Sequence, residues 1–380
     1  MIKIGVIGYG TRINVIVKGL VGIGEVQLAA VMDIDTENVK TKFIEPNGFE
    51  NVKYYSDADE MFSKEKLDGV CIGTRCSLHT HYAMIAAKYK IPMFLEKPVC
   101  TTYDDLEKLK SITYMNEKTV VSFPLRLSNM CVYVKNIIDS GKLGEISHVQ
   151  AYNNVAYGRG YYYLWYRNDK ETGGLFLQKA THDLDYINYL LGGPKPVCVS
   201  AMESKQIYKG NKPAGFKCRD CDDRLSCLES DVNIKKRNGD SRRNEYCYCC
   251  FAVDTGNHDS GSVLVQYDNG LHVVYSQNFV VRGGAGKRGA RLVGYKGTVE
   301  FDWNSGIVKV YHHFDNITET HDFGKVDGHG GGDILLCENF VEVMKGEGKS
   351  KSPLSEGILS AELCLAAKKS AEEKMFVNID

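Results

Sequence analysis

The sequence has neither an excess of charge of one sign nor an apolar run long enough to cross a bilayer. Among 380 residues, Lys and Arg number 47 and Asp and Glu number 48, which leaves a net charge of -1. This balance gives no electrostatic reason to expect nucleic acid or an anionic membrane as a partner. We therefore expect neither partner.

A secretory signal is also missing from the pattern, because residues 1–5 open directly into a predicted strand. A cytoplasmic location is then the simplest expectation. The 13 cysteines would be mainly reduced there, so a cluster among them favours metal over disulfides. The length predicts about two domains, and the 43% apolar and 25% charged fractions are ordinary for a globular enzyme.

Glycines follow the first predicted strand. The apolar run 2–7 ends in the segment Gly8-Tyr9-Gly10-Thr11-Arg12-Ile13, and residues 15–20 predict a helix. Glycines at such a turn let a pyrophosphate approach the helix N-terminus. The match is partial, because Ile13 stands where the full fingerprint has a third Gly or Ala. A turn of this kind can also simply join a strand to a helix.

An acidic residue ends the second apolar run. Residues 26–32 predict a strand that delivers Asp33 to its end, where an acid binds the ribose hydroxyls of NAD. Asp33, with Asp35 nearby, would repel a 2′-phosphate, so the pattern favours NAD over NADP. The alternative is that Asp33 only caps the next helix.

The alternation of strands and helices continues to residue 95. Residues 57–62 and 79–89 predict helices, and residues 69–73 and 91–95 predict buried strands. Such alternation predicts a parallel, doubly wound sheet with its loops at one carboxyl edge. Lys97, held between Glu96 and Pro98 at a strand end, is then placed to meet a substrate, although a lysine there is usually only a solvated charge.

Four segments together resemble one family. The Gly8 turn, the Thr74 loop, Glu96-Lys97-Pro98 and residues 122–126 look like the glucose-fructose oxidoreductase, inositol dehydrogenase and rhizopine-catabolism family, called Gfo/Idh/MocA. The resemblance covers nearly the whole chain. It implies an N-terminal Rossmann domain over residues 1–122 that binds NAD, in which Lys97 touches the nicotinamide ribose and polarises the reacting hydroxyl.

The same resemblance implies a second, α+β domain over residues 123–380. Its sheet would be large, open and mainly antiparallel, and its exposed face would form a homodimer or homotetramer. The cofactor residues expected from the turn and the resemblance are Gly8, Gly10, Thr11, Arg12, Ile13, Asp33, Thr74, His79, Glu96 and Lys97.

The second half of the sequence supports that expectation. Apolar and polar residues alternate in five runs, which are residues 147–153, 261–267, 271–279, 296–301 and 307–311. Period-two alternation with turns such as Asp268-Asn269-Gly270 predicts antiparallel strands half buried on one face.

Residues 157–167 are dense in amphipathic aromatics. Flat rings with polar edges suit sugar faces, although packing in a core or interface is an equal alternative. The expected substrate-binding residues here are Tyr157, Tyr163, Trp165 and Arg167, and Arg126 of the earlier motif joins them.

A second polar group precedes a predicted helix at residues 186–191. Because helix positions three and four apart share a face, Lys179, His182 and Asp183 could converge. A histidine can take the hydroxyl proton as hydride leaves carbon, although a lone histidine is more often structural. The resemblance implies the catalytic role for His182.

Gln178 departs from the family pattern. Many sugar and inositol dehydrogenases have Asp four residues before this histidine, whereas this chain has Gln178 and Lys179. The change removes a negative charge and adds a positive one, which favours a substrate or intermediate with developing negative charge. Gln178, Lys179 and Asp183 are therefore expected to bind substrate.

A cysteine-rich insertion occupies about residues 213–251. It contains Cys218, Cys221, Cys227, Cys247, Cys249 and Cys250, and residues 231–244 are polar and basic, which predicts a loop. The spacing of the first pair lets two thiolates bind one tetrahedral metal, and four of the six could form a structural zinc site. Reduced thiols and disulfides remain the alternatives.

Two later segments carry smaller expectations. The glycine-rich residues 281–289 predict a flexible loop rather than regular structure. Asp333 is expected to cap a helix at residues 334–344, and His329 is a candidate for the substrate pocket.

Together with these patterns, the family resemblance implies an NAD-dependent oxidoreductase that acts on a secondary alcohol of a sugar, glycoside or cyclitol. Lys97 would lower the pKa of the hydroxyl and His182 would be the general base. The resemblance leaves two alternatives, because some members of that family keep the site but cleave glycosides by oxidation, elimination and re-reduction with no net redox change. A few others are non-enzymatic NAD-bound sensors, which the presence of both Lys97 and His182 disfavours.

Overall fold

The computed structural model describes residues 1–238, 244–324 and 328–379. Contacts divide the chain into two compact units. The first contains Met1–Lys142, Leu177–Gly193 and Val326–Leu365, and the second contains Leu143–Phe176, Pro194–Lys325 and Ala366–Asp380. The units interleave along the chain, whereas the predicted domains succeed one another, and the boundary after residue 122 stays a prediction.

Six parallel strands form the sheet of the first unit, in the order β3-β2-β1-β4-β5-β6 within the described residues. They are β1 (Ile2–Ile7), β2 (Val26–Met32), β3 (Lys53–Tyr55), β4 (Gly69–Ile72), β5 (Met93–Leu95) and β6 (Thr119–Val121). Strands β4 to β6 are buried throughout, as expected of a parallel sheet covered on both faces. The strand order changes direction beside β1, where doubly wound sheets bind ligands, and the predicted Rossmann sheet is confirmed.

Twelve α-helices are described in the same ranges of the chain. They are α1 (Thr11–Gly22), α2 (Thr36–Val39), α3 (Ala58–Lys64), α4 (His79–Lys88), α5 (Tyr103–Lys110), α6 (Asn129–Asp139), α7 (Gly160–Tyr163), α8 (Asp169–Thr172), α9 (Thr181–Leu191), α10 (Asp231–Asn238), α11 (Gly332–Lys345) and α12 (Leu354–Glu373). Side chains cap several N-termini, such as Asp57 at α3 and Thr102 at α5.

Helix α11 completes the core of the first unit although it lies far along the chain. Phe340 of α11 packs edge-on against Phe94 of β5, with ring centroids 5.9 Å apart. Gly19 of α1 lets the helices approach, because a Cβ there would lie 3.0 Å from Sγ of Cys337. This packing places the first turn of α11 beside that of α1, as the Arg12–Asp333 contact below confirms.

The second unit contains a sheet of nine described strands in the order β14-β13-β12-β11-β7-β10-β9-β8-β15. They are β7 (Ile146–Asn154), β8 (Pro196–Ser204), β9 (Ser260–Tyr267), β10 (His272–Asn278), β11 (Lys287–Gly294), β12 (Gly297–Asp302), β13 (Ile307–His312), β14 (Thr318–Asp322) and β15 (Val377–Asn378). Only β7 and β10 pair in parallel among these strands. Alternate residues of β9 are buried, so the predicted half-buried, mainly antiparallel sheet is confirmed.

Two predicted loops contain regular structure. The glycine-rich segment ends inside β11, where Gly289 is required because a Cβ would lie 1.9 Å from the carbonyl oxygen of Phe301. In the insertion, helix α10 occupies part of the predicted basic loop and buries Ile234 completely. Residues 239–243 of that loop lie outside the described residues.

None of the described helices combines the length and the apolar character needed to cross a membrane.

Candidate active site

The glycine turn after β1 has the shape that its sequence predicts. Gly8 has a φ of +76°, and a Cβ there would lie 2.5 Å from Cγ2 of Thr74, so this position needs glycine. Gly10 and Thr11 are exposed at the start of α1, and a Cβ on Gly10 would meet no atom within 4 Å. The turn therefore leaves open space beside a helix N-terminus, as an anionic ligand requires.

Ile13 fits because a glycine faces it. Its side chain is buried, and a Cβ on Gly73 would lie 2.7 Å from Cβ of Ile13. In the full fingerprint the third glycine, on the helix, allows close packing of helix and strand. Here Gly73, which follows β4, allows it instead. The departure at Ile13 does not disturb the turn.

Asp33 binds the glycine turn rather than capping a helix. Its Oδ2 accepts the backbone N–H of Tyr9 at 2.7 Å, and its Oδ1 accepts that of Asp35 at 3.0 Å. The cap of α2 is Asp35, which accepts the N–H of Asn38. The carboxylate of Asp33 is thus fixed at the end of β2, beside the turn.

His79 joins two loops at the carboxyl edge of the sheet. Its Nδ1 lies 2.7 Å from the carbonyl oxygen of Pro98, and its Nε2 lies 3.2 Å from that of Thr74. The ring is buried, and burial lowers its pKa. A neutral imidazole has one N–H, and the shorter distance assigns it to Nδ1, which donates to the carbonyl of Pro98. His79 thus fixes the Lys97 loop beside the Thr74 loop, and its direct contact with cofactor stays a prediction.

Arg12 ties the glycine turn to two distant segments. Its Nε donates to Glu96 at 3.0 Å, and its Nη2 donates to Oγ of Ser122 at 3.0 Å and to Oδ1 of Asp333 at 2.6 Å. Glu96 is buried and also accepts from Ser122. Asp333 lies in the first turn of α11 and pairs with Arg12. The prediction that Asp333 caps this helix is wrong, because Gly331 is the N-cap residue.

Lys97 contacts the second predicted motif directly. Its Nζ donates to the backbone carbonyl of Gln178 at 2.6 Å. Burial, together with the nearby ammonium of Lys179, lowers the pKa of Lys97 to about 7. Sγ of Cys76 lies 3.7 Å from Oε1 of Gln178 and extends the cluster. The ammonium of Lys97 can therefore lose its proton near neutral pH.

A π-helical turn places the residues around His182. It spans Phe176–Ala180 and runs into α9, which begins before the predicted helix and carries His182 in its first turn. Gln178, Lys179, His182 and Asp183 are all buried. All four belong to the first unit, as Lys97 does, so one compact unit holds the predicted catalytic pair.

Two aromatic rings flank His182. The ring of Phe123 lies edge-on to it at a centroid distance of 6.0 Å, and the ring of His329 lies 5.8 Å away. Nδ1 of His329 is 2.9 Å from Oδ2 of Asp333, the residue that Arg12 holds. His329, expected only as a pocket candidate, thus lies beside His182.

Arg126 takes a structural role in place of the predicted substrate contact. Its guanidinium is buried and makes a two-point ion pair with Asp185. It also donates to the carbonyl of Lys351 at 3.2 Å and to Glu356 at 3.3 Å. These acceptors hold the guanidinium in place, and the carboxylates among them neutralise its charge inside the first unit.

Replacing Arg126 by Met should lower the free energy of unfolding by about 3–5 kcal/mol, because it leaves the buried carboxylate of Asp185 without its cation. Urea denaturation measures this loss. The double variant Arg126→Met, Asp185→Leu should recover much of it, since neither charge then remains buried. Equal stability of wild type and the single variant would contradict the assignment.

The aromatic segment of the second unit is mostly core. Tyr161, Tyr162 and Tyr163 are buried in one apolar cluster, and the hydroxyl of Tyr162 donates to the carbonyl of His258 at 2.6 Å. The packing alternative therefore holds for Tyr163. Tyr157 is exposed and Trp165 is half buried, and their predicted substrate contacts stay predictions.

Arg167 anchors the insertion rather than presenting its charge. It is buried, and its two terminal nitrogens donate to Asp254 at 2.8 and 2.6 Å. It also lies over the ring of Tyr248 at 4.6 Å. This arrangement replaces the predicted substrate contact of Arg167.

The cysteines of the insertion do not form the expected metal site. Of the His, Cys, Asp and Glu side chains in the described ranges, no group of three or more is arranged to hold a metal ion. All 13 cysteines are thiols, and Cys218, Cys221, Cys227, Cys249 and Cys250 line one cavity. Cys247 and Cys250 pack in the apolar cluster of Tyr161, Tyr162 and Tyr163, so these two cysteines contribute to a core. Structural zinc is not supported.

Sequence reasoning missed the ion pairs that organise this site. Arg12 meets partners 84 and 321 positions away, and no local pattern pairs them. Asp333 was recognisable only as an acid near a helix start, and Cys76 only as a cysteine in a loop.

Two family models cover the chain. Residues 2–123 match the NAD-binding Rossmann fold of an oxidoreductase family, GFO_IDH_MocA, and residues 135–379 match the C-terminal alpha/beta domain of the same family. A levoglucosan dehydrogenase solved in complex with NADH has the same fold, with a TM-score of 0.78 at 16% identity over 100% of this chain and 99% of the other.

Three relatives show lower coverage of the chain. YteT of Bacillus subtilis is 27% identical over 74% of this chain and 73% of its own length. A 2,7-anhydro-N-acetylneuraminate hydratase of Escherichia coli is 26% identical over 46% of this chain and 49% of its own. A myo-inositol 2-dehydrogenase of Thermotoga maritima is 24% identical over 50% of this chain and 55% of its own. The chain thus spans about half the length of the last two.

Proposed function

The chain belongs to the Gfo/Idh/MocA oxidoreductase family, and from this premise we propose that it oxidises or reduces a secondary alcohol of a sugar, glycoside or cyclitol with NAD. The observation that carries the proposal is the contact of Lys97 with the backbone of Gln178. It joins the strand end that follows the cofactor turn to the segment that carries Lys179 and His182.

The residues of the turn fit the cofactor. Gly8 and Gly10 leave open space at the start of α1, and Asp33 is fixed beside them with its carboxylate directed at the turn. A carboxylate at this place accepts ribose hydroxyls and repels a 2′-phosphate, which favours NAD over NADP. NAD, when bound, supplies the acceptor for hydride.

Replacing Asp33 by Ser should weaken NAD binding about 10- to 100-fold, because hydrogen bonds to a charged acceptor contribute about 1.5–3 kcal/mol. The affinity for NADP should fall much less, so the ratio of the two dissociation constants should move toward one. Titration calorimetry with each nucleotide measures both constants. Asp35→Ser is the matched control, since Asp35 caps α2. An unchanged preference in Asp33→Ser would refute the assignment.

The protein groups then divide the proton chemistry. The Lys97 ammonium binds the reacting oxygen and stabilises negative charge on it. Neutral His182 takes the hydroxyl proton as the C–H bond breaks. Lys179 adds positive potential beside Lys97, which suits an oxygen that develops negative charge.

A panel of sugars, glycosides and cyclitols tests the substrate class. Each compound is first screened for a rise in melting temperature in the presence of NAD, because ligands that bind the native state stabilise it. Compounds that raise it are then assayed for NADH formation by absorbance. Formation of NADH with a polyol supports the proposal. Binding of a compound without NADH formation favours instead a reaction with no net redox change.

The second candidate is cleavage by oxidation, elimination and re-reduction with no net redox change. The positive charge of Lys179 favours it, and one relative is named a hydratase, which adds or removes water without net oxidation. Release of an aglycone or of water without accumulation of NADH would distinguish it. A sensor role is the least supported, because both proposed catalytic residues are present, and Lys97 contacts the backbone of Gln178, four residues before the buried His182.

We further propose a homodimer or homotetramer through the exposed face of the second sheet. Leu264 of β9 is 47% exposed and Met202 of β8 is 79% exposed, which is costly for apolar side chains left in water. Light scattering on the purified chain measures the assembly.

A further inference from the structure

His329 is held by a chain of charged groups that ends at the cofactor turn. Its Nδ1 lies 2.9 Å from Oδ2 of Asp333, and Oδ1 of Asp333 accepts from Arg12 at 2.6 Å. Burial opposes the charge of Asp333, but the hydrogen bonds from His329 and Arg12 hold the pKa of its carboxyl well below the ordinary value. The carboxylate is therefore ionised and orients the imidazole.

This contact selects one tautomer of the neutral ring. A carboxylate only accepts, so Nδ1 carries the proton, and Nε2 is left with a lone pair. The arrangement is that of a general base whose ring is oriented by an acid. The charged and titratable groups packed around the ring are Asp333 on α11, Arg12 on α1 and His182 on α9.

His329 also shares its surroundings with His182. Their ring centroids are 5.8 Å apart with an interplanar angle of 42°. The hydride step needs one group for the hydroxyl proton, and His182 serves it. A second imidazole at this separation can reach a proton on the carbon next to the one that is oxidised.

Resting on the proposed function, we propose that His329 is a second proton-transfer residue, which removes and returns the proton on the carbon beside the carbonyl of the oxidised substrate. Nε2 takes the proton, the C–H electron pair forms the C=C bond of an enolate, and the carbonyl pair moves to oxygen beside the Lys97 ammonium. Return of the proton restores the ketone, so no co-reactant is consumed. The site thus exchanges protons next to a ketone in addition to transferring hydride.

Deuterium exchange tests this activity without any net reaction. The protein with bound NAD is incubated with 2-keto-myo-inositol in D2O, and deuterium on the carbons beside the carbonyl is measured by mass spectrometry against a protein-free sample. The wild type should exceed that background. His329→Gln should lose about 100-fold or more of the excess, which is the usual contribution of a general base.

The matched control is His312→Gln. His312 also pairs with a carboxylate, Glu319 at 2.6 Å, but it lies on β13 in the second unit, so exchange should be unchanged. His329→Asn serves if the first variant is unstable by thermal melting. No exchange by the wild type, or equal exchange by a folded His329 variant, overturns the proposal.

A second readout needs no substrate. Ring nitrogen NMR of the protein distinguishes the two tautomers of a neutral imidazole, and His329 should carry its proton on Nδ1, the nitrogen that faces Asp333. If no alcohol in the panel yields NADH, the proposed function fails, while ketone exchange and the tautomer of His329 still decide the role of this residue. A neutral His329 with its proton on Nε2, like absent exchange, counts against the proposal.

Discussion

The Lys97→Met variant should lose about 10²–10³-fold in turnover while its affinity for NAD changes by no more than about 2-fold. Methionine fills a similar volume but neither donates to the carbonyl of Gln178 nor stabilises negative charge on the substrate oxygen. NADH formation measures turnover, and calorimetry measures NAD binding. Lys88→Met, on the exposed face of α4, is the matched control and should keep full activity. Normal turnover in Lys97→Met would remove this residue from the mechanism.

The lowered pKa of Lys97 adds a dependence on pH. Its ammonium form is needed, so kcat/KM should fall as pH rises above about 7. Replacing Lys179 by Met removes the second cause of the shift and should move this alkaline limb to higher pH.

Stability should respond in the opposite sense. In the unfolded chain Lys97 has the ordinary pKa of 10.5, so between pH 7 and 10.5 the unfolded state binds more protons than the folded one. The free energy of unfolding of the wild type should therefore rise with pH across this window relative to Lys97→Met. Parallel pH curves for the two proteins would mean that the lysine is not perturbed.

The His182→Ala variant should lose about 10²–10⁴-fold in kcat, the usual contribution of a general base. It should also lose the acid limb of the pH–rate profile, because no imidazole then needs to be neutral. The measurement is kcat/KM from pH 5 to 9, with thermal melting to establish that the variant is folded.

Phe123 offers the matched control for His182. Its ring packs edge-on against the imidazole without any titratable group, so Phe123→Leu should lower kcat by misplacing the ring but leave the acid limb in place. If His182→Ala keeps the wild-type profile, the histidine is structural and the base must be sought elsewhere.

Local motifs identify only some of the charged residues of the site. Lys97 and His182 were predicted from motifs whose backbone settings, a strand end and a helix start, are local. Arg126 and Arg167 stood in equally suggestive motifs, yet both are buried in ion pairs with acids 59 and 87 positions away. An arginine in a motif does not reveal its partner, so the motif alone could not separate a substrate contact from an internal ion pair.

The spacing of the cysteines likewise does not determine their positions in the fold. The separation of three between Cys218 and Cys221 suits a metal, but ligation also needs the remaining sulfurs at tetrahedral positions. Packing placed Cys247 and Cys250 in an aromatic cluster instead.

By itself, the sequence determined the doubly wound sheet, the half-buried antiparallel sheet and the carboxyl edge at which the Gly8 turn, Asp33 and Lys97 meet. These follow from apolar periodicity and from glycine at turns, which are properties of neighbouring residues. Tertiary structure alone decided the bond from Lys97 to Gln178, the chain from Glu96 through Arg12 to Asp333, and the meeting of His182 with His329. These contacts depend on how α9 and α11 pack, because burial and charge act through space rather than along the chain.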